Sequence, residues 1–328
     1  MKSAMSVVVC GAVMCMGASA QSLLVANQGN ATVSVIDAAT GKQIALIEEK
    51  TPGVHGHEII ASADGRTAFL PIYGSTGVGK PGIDGHEMLV IDVPSDKVIR
   101  DVEFGHGVRP HLPVLDAKRN LLYVTTELDN AITVIDAKTL KIVGKVPTGA
   151  EQSHMLVLSH DGTRGYTANV GPGSVSVLDM VERKTLAVIP VSGEVQRIAI
   201  SNDDRWVFTS DQKQPRLAVI DAKTNKVTRW VELPGTGYGA AATQDGRWLL
   251  VCVPSTNEVA VVDLAAMKVA RTIKVPATPQ EVLIRPDGAM AYVSCNRSGK
   301  VAAIDLKSWN VAQTIDAGPF ADGLAWAK

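Results

Sequence analysis

Residues 153 to 162 read SHMLVLSHDG, two polar residues, four apolar ones and a turn, and versions of this string recur along the chain. Aligned on their turns, the copies are VHGHEIIASADG, VRPHLPVLDAKRN, QSHMLVLSHDG, VQRIAISNDD, GYGAAATQDG, PQEVLIRPDG and, at the end, FADGLAWAK. The chain is a sevenfold repeat.

His57, His111, His154, Arg197, Tyr238, Gln280 and Asp322 open these copies, 54 residues apart at the first step and 41 to 43 apart thereafter. VSVID-like segments supply an independent ladder, ending in Asp37, Asp92, Asp136, Asp179, Asp221, Asp263 and Asp305, spaced by 55 and then by 42 to 44. A period near 42 with about four strands per copy belongs to propeller blades rather than to helical solenoids. The expected fold is therefore all-β, a seven-bladed β-propeller of four-stranded antiparallel blades.

Residues 21 to 50 hold three strands without the inner strand that opens every later copy, and FADGLAWAK supplies it. The ring is expected to close by pairing the N- and C-terminal strands, which removes sheet edges that would otherwise recruit other chains. The Asp closing each VID-like strand precedes a turn, where its carboxylate caps backbone N–H groups; these seven carboxylates are structural.

The first 20 residues, MKSAMSVVVCGAVMCMGASA, combine one Lys, an apolar run and an Ala-Ser-Ala end of the type that signal peptidase accepts. They are expected to be a cleaved leader, leaving 21 to 328 as a single propeller domain in the periplasm or outside the cell, with no membrane span after cleavage and as a monomer. Lys and Arg number 32 against 33 Asp and Glu, so no basic bias exists to release counterions from nucleic acid, and a nucleic-acid partner is not expected. Beyond the leader only Cys252 and Cys295 remain, on equivalent strands one register step apart and so facing opposite pleat faces. Two reduced, buried thiols are preferred over a disulfide.

One insertion breaks the period: the first blade is longer by about eleven residues, all within GSTGVGKPGIDGHE, 74 to 87, between its second and third strands. Gly74, Gly79 and Lys80 fall at phosphate-loop offsets, but Pro81 stands where Ser or Thr should ligate Mg²⁺ and no helix follows. The segment is read as a glycine-rich loop across the channel mouth.

LYVTTELDNAITVID and AYVSCNRSGKVAAID resemble the YVTN β-propeller repeat, also called the YncE-like family, and the resemblance covers essentially the whole chain after the leader. It implies an exported seven-bladed propeller. Among relatives of this kind it also implies single-stranded DNA binding, lactonase activity, or haem and quinone cofactor domains. The insertion and the histidine-rich strand starts depart from the plain repeat.

In an antiparallel blade the start of strand one and the loop between strands two and three share a face. The seven opening residues therefore ring the mouth of the central channel under the 74 to 87 loop. His55, His106 and Arg109 lie in adjoining connections and His86 ends the insertion, so six of the seven histidines map to this face and only His160 does not. His57, His111, His154 and Asp322 make a set able to bind Zn, Cu or Fe; Arg197, Arg109 and protonated histidines make the competing set, for an anion. The cofactor is otherwise unknown. No G-x-S-x-G elbow or separable nucleophile set is present. The expected function is a binding or interaction module taking a small-molecule or protein ligand at the mouth. The alternative is a lactonase-like hydrolase or metal-assisted oxidoreductase at the same place.

Overall fold

A computed structural model describes residues 21–327; the leader reading falls on residues 1–20, outside the described residues. The strands form seven separate antiparallel sheets, one per copy of the repeat. We number the blades in chain order: His55–Glu103 for blade 1, Pro110–Pro147 for blade 2, Ser153–Pro190 for blade 3, Val195–Glu232 for blade 4, Ala240–Lys274 for blade 5 and Pro279–Asp316 for blade 6. Blade 7 pairs inner strand Ala321–Ala327 with Ser22–Asn27, in register Ser22 with Ala327 and Leu24 with Ala325. The ring thus closes through both ends of the chain, as expected.

Each blade buries its two middle strands except at their ends, and alternate side chains face opposite neighbours. Leu24, Val35 and Ala325 of blade 7 meet Leu70, Ile72 and Leu89 of blade 1 in one cluster. Phe69 and Val90, on the other face of blade 1, meet Leu122 and Val124 of blade 2. Burying each of these large side chains contributes roughly 1.5–3 kcal/mol, so the core is a ring of seams between blades rather than one centre. Outer strands read differently: Lys42–Glu48 buries only Ile47, and outer strands open on Lys at 42, 97, 184, 226 and 268. A charged, mostly exposed outer strand cannot template further pairing.

All seven ladder aspartates cap their turns; Asp37 Oδ1, for example, accepts from the Thr40 N–H at 2.8 Å and Asp305 Oδ1 from the Ser308 N–H at 2.6 Å. Cys252 faces blade 6 and Cys295 faces blade 5 within one apolar cluster, and both thiols are free. The one-step register difference turns them toward the same seam, and burial pushes the Cys295 thiol up to about 12. Among the described residues no helix is long and apolar enough to cross a membrane.

Two features position the site. First, the inner strands are bulged where they begin. Asn169 pairs with Ser153 and Ala168 with Met155, leaving His154 as the extra residue; shifts of the same kind bracket His111, Arg197, Gln280 and Asp322. A bulge re-aims a side chain that a regular pleat would send into the blade seam. In blade 1 the inner strand is broken outright, into His55–Gly56 and Ile60–Ala61, with His57 in the gap. Second, the insertion between strands Thr67–Gly74 and Glu87–Asp92 folds back as a closed loop. Gly85 N–H donates to Tyr73 O and Ser75 N–H to Ile83 O. A Cβ on Gly85 would lie 1.7 Å from Ile72 O, so only glycine permits this return.

Candidate functional site

The seven residues that open the inner strands line one cavity of about 340 Å³ at the channel mouth, and Gly77, Val78 and Lys80 of the insertion roof it. The bulges explain the convergence. Val78 and Val170 are its only aliphatic lining residues, so the cavity is polar nearly throughout.

Three imidazoles fill one arc. The His57 and His111 rings lie 5.3 Å apart edge to face, and those of His111 and His154 are 3.6 Å apart with a 32° tilt. Burial, then mutual repulsion and the nearby Arg197, hold His57 and His111 well below the usual histidine range. His154 is lowered too, mainly by burial, with Glu127 opposing. All three are therefore neutral near pH 7. His57 Nε2, His111 Nδ1 and His154 Nδ1 are buried without a hydrogen-bond partner.

Behind His154 stands Glu127, which the sequence reading missed. Its Oε2 lies 3.6 Å from His154 Nδ1, beyond hydrogen-bond length, and would form an ion pair only with a protonated His154. Tyr73 Oη donates to the same carboxylate, and the Gly79 N–H of the roof donates to Oε1 at 3.3 Å. Burial alone would raise the Glu127 carboxyl, but His154 and Tyr73 together hold it below its ordinary value. Arg109 completes the latch on the insertion: Nε donates to Asp84 at 2.5 Å and Nη2 to Lys80 O at 2.7 Å.

Across the channel the chemistry changes. Arg197 is buried and donates to Glu58 Oε1 through Nη1 and to Asp322 Oδ1 through Nη2 at 3.2 Å. Gln28 Nε2 donates to the other Asp322 oxygen, and the Arg197 guanidinium lies 4.9 Å above the Tyr238 ring. Glu281 accepts from the Leu324 N–H at 2.7 Å and faces the same group. Burial pushes the Glu58 carboxyl up to about 7, against the pull of Arg197, and carries Glu281 well above its usual range.

Several sequence expectations are placed differently. Asp322 is a neighbour of His57 through the Gly323 N–H to His57 O bond, but its carboxylate is engaged by Arg197 and Gln28. His86 and His106 are exposed, paired with Glu103 and Asp129, and do not line the cavity. Sharing a face of the ring does not make a connection residue point at its axis. His55 also lies outside the lining, stacked on His57 with ring centroids 5.0 Å apart. Arg109 holds the roof instead of facing a ligand. Among the described residues, one set of three or more possible metal ligands has its donor atoms all within 4.8 Å: Glu87, Asp101 and Glu103, partly exposed on blade 1. His57, His111, His154 and Asp322 do not form such a set.

Three unforeseen residues come from strand two, with Tyr73 in it and Gln28 and Glu127 directly after it, while Glu58 and Glu281 follow the opening residues His57 and Gln280. Gln28 and Glu127 share one repeat position, the residue directly after the second strand.

The Cytochrome D1 heme domain family model matches residues 116–238, which is blade 2 without most of its inner strand, together with blades 3 and 4. Among solved structures, the chain is similar to Kuenenia stuttgartiensis hydrazine synthase, at 19% identity and a TM-score of 0.66, over 79% of this chain and 78% of that one. It is also similar to "Dihydro-heme d1 dehydrogenase NirN in complex with DHE", at 16% identity and a TM-score of 0.66, over 92% of this chain and 74% of that one. No curated protein sequence matches it. At these identities the likeness shows the fold, a β-propeller, and the fold alone.

Proposed function

We propose that this chain is an exported, YVTN/YncE-like propeller that binds a small ligand in the roofed channel mouth. The observation that carries this reading is the group of unpartnered, buried nitrogens on His57, His111 and His154 around one polar cavity. Buried polar atoms are nearly always satisfied, so a cluster of exceptions calls for a bound species. A cavity of about 340 Å³ sits at the lower end of the roughly 300–1,000 Å³ typical of ligand sites. Its roof favours a small molecule or ion over a protein segment.

A tetrapyrrole of the kind named in two of the comparisons does not fit this mouth. Buried imidazole is a good axial donor for haem iron, but the cavity, about 340 Å³ under its roof, is small and offers only Val78 and Val170 as aliphatic walls. The guanidiniums that could hold propionates are already engaged by Glu58, Asp322 and Asp84.

One observation favours the enzyme reading. Glu127 beside His154 is the carboxylate–imidazole pair that orients a general base. A lactone-hydrolysis assay with and without added metal, run beside a thermal-shift ligand screen and a haemin absorbance titration, separates the readings. Binding that depends on the three histidines, with no turnover and no haem band, is expected. Stoichiometric haemin uptake with an imidazole-ligated spectrum would overturn the small-ligand reading.

A further inference from the structure

We infer that the species bound in the mouth is a cation, a first-row transition-metal ion seated on the imidazoles of His57, His111 and His154, and not an anion. This rests on the small-ligand reading above and narrows it.

An anion would need unengaged positive charge at the mouth. Two arginines lie at the mouth, and both are ion-paired: Arg197, of which only Nε lacks a partner, faces Glu58, Asp322 and Glu281, and Arg109 faces Asp84 and Glu127. The carboxylates paired with each guanidinium leave neither side of the cavity with a surplus of positive charge to draw an anion in. Lys80 is the one further cation in the lining, and it is exposed on the roof.

A transition-metal ion finds the opposite. Imidazole nitrogens suit Zn, Cu, Fe and Ni; His57 Nε2 and His111 Nδ1 stand unpartnered on adjacent blades, and His154, whose Nδ1 faces Glu127, would ligate through Nε2. Glu127 stands behind His154 at 3.6 Å, anchored by Tyr73 and the roof. A carboxylate backing a ligating histidine is the usual outer-shell arrangement of metal sites. Asp322 takes no part, because Arg197 and Gln28 hold it. The donor atoms are not all within 4.8 Å of one another, so the rings must rotate to close on an ion. The site then keeps an open position instead of forming a sealed structural cage.

The test uses the untagged chain, stripped with a chelator and titrated with Co²⁺, Zn²⁺ and Cu⁺, with phosphate and citrate as anion probes. One equivalent of Co²⁺ should bind with imidazole-type visible bands, and neither anion should bind. His111→Gln and His154→Gln should each weaken binding at least tenfold, and Glu127→Gln by about 10- to 100-fold. Lys42→Ala, on an exposed outer strand, should change nothing, and Glu103→Gln, which disables the partly exposed acidic set, should leave the imidazole bands intact. If a histidine variant misfolds, imidazole ¹⁵N spectra of the unaltered protein decide, with Zn²⁺ expected to move three of its seven histidines. Metal binding indifferent to these histidines would overturn the inference. Phosphate or citrate binding lost in Lys80→Ala would overturn it while leaving the small-ligand reading standing. Failure of every probe together with a ligand-free thermal screen would remove both.

Discussion

Arg197 on blade 4 reaches across the channel to Glu58 on blade 1, a buried ion pair between residues 139 apart in sequence. With Asp322 it ties three blades together, those of His57, Arg197 and the closing terminal strand. Arg197→Met would leave Glu58 and Asp322 buried without their counter-charge, a loss of about 3–5 kcal/mol. Denaturant unfolding should show this, and Arg197→Lys should not restore it, because one ammonium cannot replace a fork that serves two carboxylates.

Glu127 links the roof to the imidazoles, since it touches Gly79, Tyr73 and His154 at once. Glu127→Ala should release the 75 to 86 segment, seen as faster amide hydrogen exchange at Gly79 and its neighbours while the strands stay protected. Unchanged exchange in that segment would mean that Arg109 alone holds the loop.

Glu49, in the connection between blades 7 and 1, is buried and accepts from the Gly56 N–H at 3.0 Å, with its second oxygen unpartnered. Burial pushes its carboxyl up to about 7. The folded chain therefore binds a proton there that the unfolded chain releases near pH 4.5. Its contribution to stability is full below that pH and is lost as pH rises through about 7, on the order of 3 kcal/mol in all. Urea unfolding of wild type at pH 5 and pH 8 should show the fall, and Glu49→Gln should flatten its share.

The fold was legible because a propeller repeats its logic in every blade: one aspartate per turn and one opening residue per inner strand gave two ladders of equal period. The mouth ring from His57 to Asp322 was legible for the same reason. What a ladder cannot carry is distance across the ring. Asp322 lies next to His57 in blade order, yet its charge partner is Arg197 on the far side. Nor does a ladder show where a connection residue points: His86 and His106 share the face of the mouth in sequence and lie outside its lining. Glu127 and Tyr73 escaped because second strands read as uniform apolar runs, and a polar residue at their end passes for a turn.

The most direct test of a ligand in the mouth is native mass spectrometry with elemental analysis of the untagged protein isolated from its own host. The account predicts a single bound species, absent when His57, His111 and His154 are all replaced by alanine, with a lower thermal midpoint in that variant. A bare chain mass in the wild type, with the same thermal midpoint as the triple variant throughout a ligand screen, would contradict it.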